Sequence, residues 1–180
     1  DSVVTWVPTA TDRPDRSPVT APFDGGEGIV IDGDWMMFAT KGDRRIWQMN
    51  LVSGVLGVFH DCVARPDTPL THVDNLALHP FTGQLFVAED GGDMDLCMLT
   101  RDGGEPVVTA VVKFEGHDGS EVAGPAFSPN GSALYLSSQR GTDGRGMTVR
   151  VTGPFRQWIS SIDGPASVDA RPIRLGTDLD

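Results

Sequence analysis

Oxygen-bearing side chains recur in this sequence just before or just after short apolar segments. Seven of them are candidate metal ligands: Glu27, Asp74, Asn75, Glu89, Asp90, Asp93 and Glu121. The chain has only five Glu against 20 Asp, yet three of those five Glu belong to this set. Carboxylates that face one site repel each other unless they are protonated or hold a cation. The pattern therefore predicts a site for Ca²⁺, or for a redox or trivalent metal if the carboxylates cluster tightly.

Two of these acids have an equally good alternative interpretation. Asp90 and Asp93 lie in AEDGGDMD, which also reads as a solvated turn. For Glu27, in the context GGEG, a ligand is the preferred interpretation. Glycines on both sides of a carboxylate indicate a backbone that approaches its neighbours too closely for larger side chains.

Arg140 is the candidate residue for catalysis, because it follows the apolar segment ALYLSS and a guanidinium can hold phosphate or carboxylate through two parallel hydrogen bonds. A structural arginine at the surface or between two sheets is an equally good interpretation. Lys41, in ATKGDRR, is expected to neutralise a neighbouring carboxylate. No GxSxG, Walker A, HExxH or EF-hand motif is present, and the sequence assigns no His or Asp partner to Ser138.

Three internal repeats carry these residues, and they span about residues 26–59, 73–114 and 121–155. Each repeat has an apolar strand, a tight turn, a second apolar strand, a polar Gly-rich loop and a third strand. The first two repeats add a fourth strand. Four antiparallel strands at a period of about 40–50 residues are typical of a β-propeller blade. The predicted fold is therefore an all-β propeller, with a β-sandwich as the alternative.

Antiparallel strands explain how the candidate residues meet. In each blade the second strand returns along the first, so the residues before strand one and after strand two lie at the same mouth of the channel. Glu27 and Lys41 come from the first repeat and Glu121 and Arg140 from the third. The second repeat supplies the remaining candidate ligands.

The 180 residues divide into a lead-in segment (1–22), a partial propeller (23–155) and a C-terminal tail (156–180). Propellers close with about 4–8 blades, so three cannot form a ring. We expect the chain to be part of a larger, six-bladed-like propeller, or to close its ring with a second copy.

Composition excludes several classes of partner. The net charge is −11, which disfavours binding to nucleic acid. No apolar run approaches the ~18 residues of a membrane span. Two cysteines, Cys62 and Cys97, give no disulfide framework or CxxC motif, and we favour buried free thiols over a pair.

Four segments resemble motifs of the PhoX-type alkaline phosphatase family: FDGGEGIVID, THVDNLALHP, FVAEDGGDMDLCML and GSEVAGPAFSPNGSALYLSSQRG. These are bacterial β-propeller proteins, and the resemblance covers about three-quarters of the chain. It implies export from the cytoplasm, a metal site with calcium and, in one branch, iron, and the hydrolysis of phosphoesters. Family members are several times longer, and the half that supplies further ligands has no counterpart here.

The resemblance also implies roles for individual residues of this chain. Glu27, Glu89 and Glu121 match motif carboxylates that are expected to bind metal, whereas Arg140 matches a motif position and its substrate role is our inference. Asp74 and Asn75 correspond less closely to ligands of other calcium-dependent six-bladed propellers. Three hypotheses follow: a metal-dependent phosphatase or phosphodiesterase acting on a small phosphoester, a lactonase-type calcium enzyme, and a calcium-binding propeller module without activity.

Overall fold

The computed structural model describes residues 2–8, 20–100, 104–141, 143–153, 155 and 173–175. Its described residues form thirteen strands and no helix. The strands are β1 (Ser2–Val3), β2 (Gly26–Asp32), β3 (Trp35–Thr40), β4 (Arg45–Asn50), β5 (Val55–Asp61), β6 (Leu76–Leu78), β7 (Leu85–Ala88), β8 (Asp95–Thr100), β9 (Val107–Phe114), β10 (Val122–Phe127), β11 (Ala133–Ser138), β12 (Met147–Thr152) and β13 (Ile173–Leu175).

Each predicted repeat folds into one antiparallel meander. The sheet orders are β1-β5-β4-β3-β2, β13-β9-β8-β7-β6 and β10-β11-β12. The tight turns depend on glycine: Gly33 between β2 and β3 and Gly131 between β10 and β11 both have positive φ, at 57° and 65°. Glycine adopts this left-handed backbone conformation without a steric penalty, because it has no Cβ. The predicted blades are thereby confirmed, including the third, which has three strands in the described part of the chain.

Two hydrophobic cores lie between the three sheets, and the second sheet takes part in both. Leu85, Val87 and Cys97 pack against the first sheet. Phe86, Leu96 and Met98 pack against the third. All six residues of β8 are buried, as expected for a strand covered on both faces. This stacking of successive meanders face to face is the packing of propeller blades.

The two outer faces of this stack differ in polarity. On β2 of the first sheet, Ile29 and Ile31 are 58% and 61% exposed. On the third sheet, Tyr135 pairs with Arg150 and Ser137 pairs with Thr148. The first sheet therefore presents apolar side chains on its uncovered face, whereas the third presents polar ones.

Short strands from the predicted lead-in and tail add to the first two sheets. β1 pairs antiparallel with β5, and β13 pairs parallel with β9. Both sheets are therefore five-stranded. Apart from residues 173–175, the predicted tail lies outside the described residues.

Two further expectations concern cysteines and membrane spans. Cys62 and Cys97 are buried free thiols, and burial raises the pKa of Cys62 to about 12. In the described ranges, no helix is long and apolar enough to cross a membrane.

Candidate functional site

The inner strands of the three sheets are tied together at one rim. The pairing of β2 is interrupted by a register shift between Gly26 and Ile29, and that of β10 by one between Ala123 and Ala126. Asp74 and Asn75, just ahead of β6, join both strands. The amide of Gly28 donates to the carbonyl oxygen of Asp74 (3.0 Å), and the amide of Gly124 donates to Asn75 Oδ1 (2.8 Å).

Gly28 permits the close approach of the first two inner strands. A Cβ at this position would stand 2.8 Å from the carbonyl oxygen of Asp74 and closer still to the amide nitrogen of Leu76. No side chain fits there without displacing backbone. The close backbone packing predicted from GGEG is therefore present at Gly28 and not at Gly26, where a Cβ would meet nothing within 4 Å.

Four carboxylates from three successive sheets share this rim, and we call Glu27, Asp74, Asp90 and Glu121 the rim cluster. Asp74 is 7% exposed. Burial raises its pKa, and the negative charges of Glu27 and Glu121 raise it further, while Lys41 opposes them. Asp90 and Glu121 form a backbone β-bridge. These four residues therefore lie near one another at one edge of the stacked sheets.

Two cations neutralise part of the rim cluster. Lys41 forms an ion pair with Asp90, and its Nζ lies 3.7 Å from Asp74 Oδ2. Arg140 Nη2 lies 3.2 Å from Glu121 Oε2. Lys41 therefore has the neutralising role that the sequence predicted. Four carboxylates against two cations leave two negative charges when all are ionised, which matches one divalent cation.

The donor types at the rim suit a hard cation, because they are carboxylate oxygens with no thiol or imidazole. Their spacing does not enclose one in this structure. Among the described residues, no three His, Cys, Asp or Glu side chains come together closely enough to hold a metal ion. Asn75 already accepts a hydrogen bond through Oδ1 and donates through Nδ2 to Asp74.

Glu89 lies away from the rim cluster, in the protein interior. It is 0% exposed, and its carboxylate accepts four hydrogen bonds. Oε1 accepts from the amide and hydroxyl of Thr71 (2.6 and 2.8 Å) and from the amide of His72 (3.1 Å). Oε2 accepts from the amide of Asp95 (3.0 Å). These contacts give Glu89 a structural role, because they tie the loop before β6 to the first residue of β8.

Asp93 is not brought to the rim cluster by any described contact. Its side chain is 67% exposed, and Lys113 Nζ lies 4.0 Å from its Oδ2. Lys113 Nζ also lies 3.5 Å from Asp95 Oδ1. Asp93 is therefore a solvated turn residue beside the ion pair of Lys113 with the buried Asp95.

Sequence reasoning missed a buried polar group beside Arg140. Ser138, to which the sequence assigned no partner, lies 2.7 Å from Nδ1 of His117 and hydrogen-bonds Ser120. No spacing rule reveals this group, because 21 residues separate His117 from Ser138 and only the pairing of β10 with β11 brings them together.

Comparisons with known proteins support the fold. No family model and no curated protein matches the chain. Among solved structures, it is similar to luciferin-regenerating enzyme, with a TM-score of 0.58 and 19% identity over 73% of this chain and 46% of that one. It is also similar to the tricorn protease, with a TM-score of 0.47 and 11% identity over 83% of this chain and 16% of that one. The second likeness is too weak to support an inference.

The fold is a β-propeller, as predicted. The chain spans about half the length of the luciferin-regenerating enzyme structure. At 19% identity the likeness concerns the fold alone.

Proposed function

We propose that the rim cluster binds a divalent cation, calcium before iron, and that the complete propeller uses this site to hydrolyse phosphoesters. The observation that carries the proposal is the convergence of Glu27, Asp74 and Glu121 from three successive blades. Hard oxygen donors with residual negative charge are the environment that calcium prefers. Bound there, the cation supplies charge neutralisation for a phosphate group and activates an oxygen nucleophile.

The protein's own contribution to this chemistry is orientation. Arg140 carries a half-exposed guanidinium at the edge of the rim cluster, where it contacts Glu121. Guanidinium groups bind phosphate oxygens through paired hydrogen bonds. We propose that Arg140 orients the phosphoester and that Lys41 leaves Asp74 and Asp90 when the cation binds.

Further blades complete the ring in this proposal. The exposed isoleucines on the first sheet support it, because they lie on the face where a neighbouring blade would pack. A second copy of the chain is the other way to cover this face. Export from the cytoplasm, which the family resemblance implies, belongs to the same proposal.

Calcium binding to the whole chain tests the proposal first. We expect isothermal titration calorimetry to show calcium binding by the wild type and a loss of about tenfold or more in E27Q and E121Q, because each removes one charged ligand. E105Q is the matched control, since the Glu105 side chain is 78% exposed and paired with Arg65. A wild type that binds neither calcium nor iron contradicts the proposal.

Substrate assays separate the proposed activity from its alternatives. With calcium or iron present, turnover of p-nitrophenyl phosphate that R140K reduces supports a phosphoesterase. Lactone opening without phosphate release supports the lactonase-type alternative. Calcium binding with neither activity identifies a calcium-binding propeller module.

A further inference from the structure

A buried chain of polar side chains runs beneath Arg140. Its members are His117, Ser120 and Ser138, which are 2%, 3% and 0% exposed. His117 and Ser120 lie in the turn before β10, and Ser138 ends β11. Polar groups buried this deeply are costly unless each has a partner.

The hydrogen bonds of this chain have a defined direction. Ser138 donates its hydroxyl proton to Ser120 Oγ (2.9 Å). A serine hydroxyl has only one proton, so Ser138 Oγ accepts from His117, whose Nδ1 lies 2.7 Å away. His117 therefore carries a proton on Nδ1. Ser120 Oγ then accepts a second bond from the backbone amide of Arg140 (2.8 Å).

The same turn also contacts the side chain of Arg140. Arg140 Nε donates to the carbonyl oxygen of Gly119 (3.4 Å), and Nη2 lies 3.2 Å from Glu121 Oε2. Gly119, Ser120 and Glu121 are consecutive, so one turn holds the backbone of Arg140 through its middle residue and the guanidinium through its outer two.

We infer that Ser120, held in place by Ser138 and His117, is the positioning residue of Arg140 for an oxyanion of the phosphate class. An arginine has many rotamers, and fixing its backbone and its Nε removes part of the entropy that anion binding would otherwise cost. The identity of the anion rests on the proposed function. The positioning of Arg140 does not depend on it.

Amide hydrogen exchange tests the positioning in the whole chain without any ligand. In S120A we expect the Arg140 amide to exchange about tenfold faster, because its hydrogen-bond acceptor is gone. The Gln139 amide is the internal control, since it donates to the backbone oxygen of Glu121 (3.0 Å). S120T, which keeps the hydroxyl, restores the protection of Arg140.

A second control lies on the same strand. Ser137 hydrogen-bonds Thr148 on the other face of β11 (2.9 Å), so S137A leaves the Arg140 amide unchanged. The inference is overturned if S120A leaves the Arg140 amide protected, or if it accelerates Gln139 equally, which indicates general loosening. If S120A does not fold, S138A tests the same chain, because it removes the bond that holds Ser120.

Binding of inorganic phosphate, followed by ³¹P NMR in the presence of calcium, tests the link to the anion. We expect about tenfold weaker binding in S120A and wild-type binding in S137A. If the Arg140 amide of S120A exchanges faster and phosphate binding is undiminished, Ser120 does not position Arg140 for the oxyanion. If the wild type binds no phosphate while the amides behave as expected, the proposed function fails and the positioning of Arg140 stands.

Discussion

At the residue scale, Glu89 and Asp90 show how two adjacent acids acquire different environments. Successive side chains of an extended chain point in opposite directions. Glu89 consequently enters the interior and accepts backbone hydrogen bonds, whereas Asp90 joins the rim cluster with Lys41. The sequence predicts that acids end this strand, but it does not tell which of the two points inward.

Substitution of Glu89 separates its structural role from metal ligation. In E89Q we expect the free energy of unfolding to fall by about 2–4 kcal/mol. The buried carboxylate accepts four hydrogen bonds, whereas the NH2 group of glutamine would face N–H and O–H groups that themselves donate. Urea denaturation measures this loss, with E105Q as an exposed control within about 0.5 kcal/mol of wild type. Wild-type stability combined with lost calcium binding would instead identify Glu89 as a ligand.

His60 makes the stability depend on pH. It is 2% exposed, and neither ring nitrogen has a hydrogen-bond partner among the described residues. Burial lowers its pKa, and the positive charge of Arg65 lowers it further, while Asp61, Glu105 and Asp67 oppose this. A histidine whose folded pKa is depressed binds its proton more readily when unfolded, so stability falls as pH drops below about 6.5.

The variant H60L tests this dependence. We expect it to lose less stability than wild type between pH 7 and pH 5, as measured by urea denaturation at each pH. The comparison with wild type is necessary because burial raises the pKa of Asp95 to about 6, and a carboxyl with a raised folded pKa has the opposite effect, gaining stability on acidification. Parallel pH curves for H60L and wild type would contradict the prediction.

At the scale of elements, the strands inside the three repeats were predictable and the two strands outside them were not. β3 and β9 have the bounds that their sequences indicate, because each is a nearly continuous apolar run between turn glycines. β1 and β13 contain two and three residues, too few to show a period. They are strands because they pair with β5 and β9, and such long-range pairing leaves no signal in the local sequence.

The irregular start of β2 predicts different effects of alanine substitution at its two glycines, Gly26 and Gly28. In G28A we expect the free energy of unfolding to fall by about 1–3 kcal/mol or more, because a Cβ there meets the backbone of Asp74 and Leu76. We expect calcium binding to weaken as well, because the backbone next to Gly28 carries Glu27 and is displaced by the added Cβ. G26A is the matched control, because a Cβ at Gly26 meets nothing within 4 Å. Equal effects of the two variants would contradict the close approach.

At the scale of the whole molecule, the second sheet links the two cores. Leu85 and Phe86 are adjacent on β7, yet Leu85 belongs to the core shared with the first sheet and Phe86 to the core shared with the third. Repeat proteins in which each unit contacts its neighbours unfold together when the shared interfaces are strong. The repeats made this stacking predictable, whereas the unequal polarity of the two outer faces depends on side-chain directions.

Truncating either residue should therefore destabilise all three sheets. We expect L85A and F86A each to lower the free energy of unfolding by about 2–5 kcal/mol, with a single transition in both variants. Far-UV circular dichroism reports all sheets, and tryptophan fluorescence reports the first one through Trp35 and Trp47 when Trp6 and Trp158 are replaced by Phe in every protein compared. Two separated transitions in either variant would show that the cores unfold independently.

The bonds from Gly28 to Asp74 and from Gly124 to Asn75 have a mechanical consequence. They fasten three inner strands at the acidic rim, whereas the opposite ends of β2 and β6 border an open cleft of about 490 Å³ beside Phe81. At that far end His79 Nε2 lies 3.2 Å from the carbonyl oxygen of Gly131, so the second and third blades are joined at both ends. We therefore expect loosening of the first blade from the second to widen the cleft while the carboxylates of the rim cluster keep their spacing.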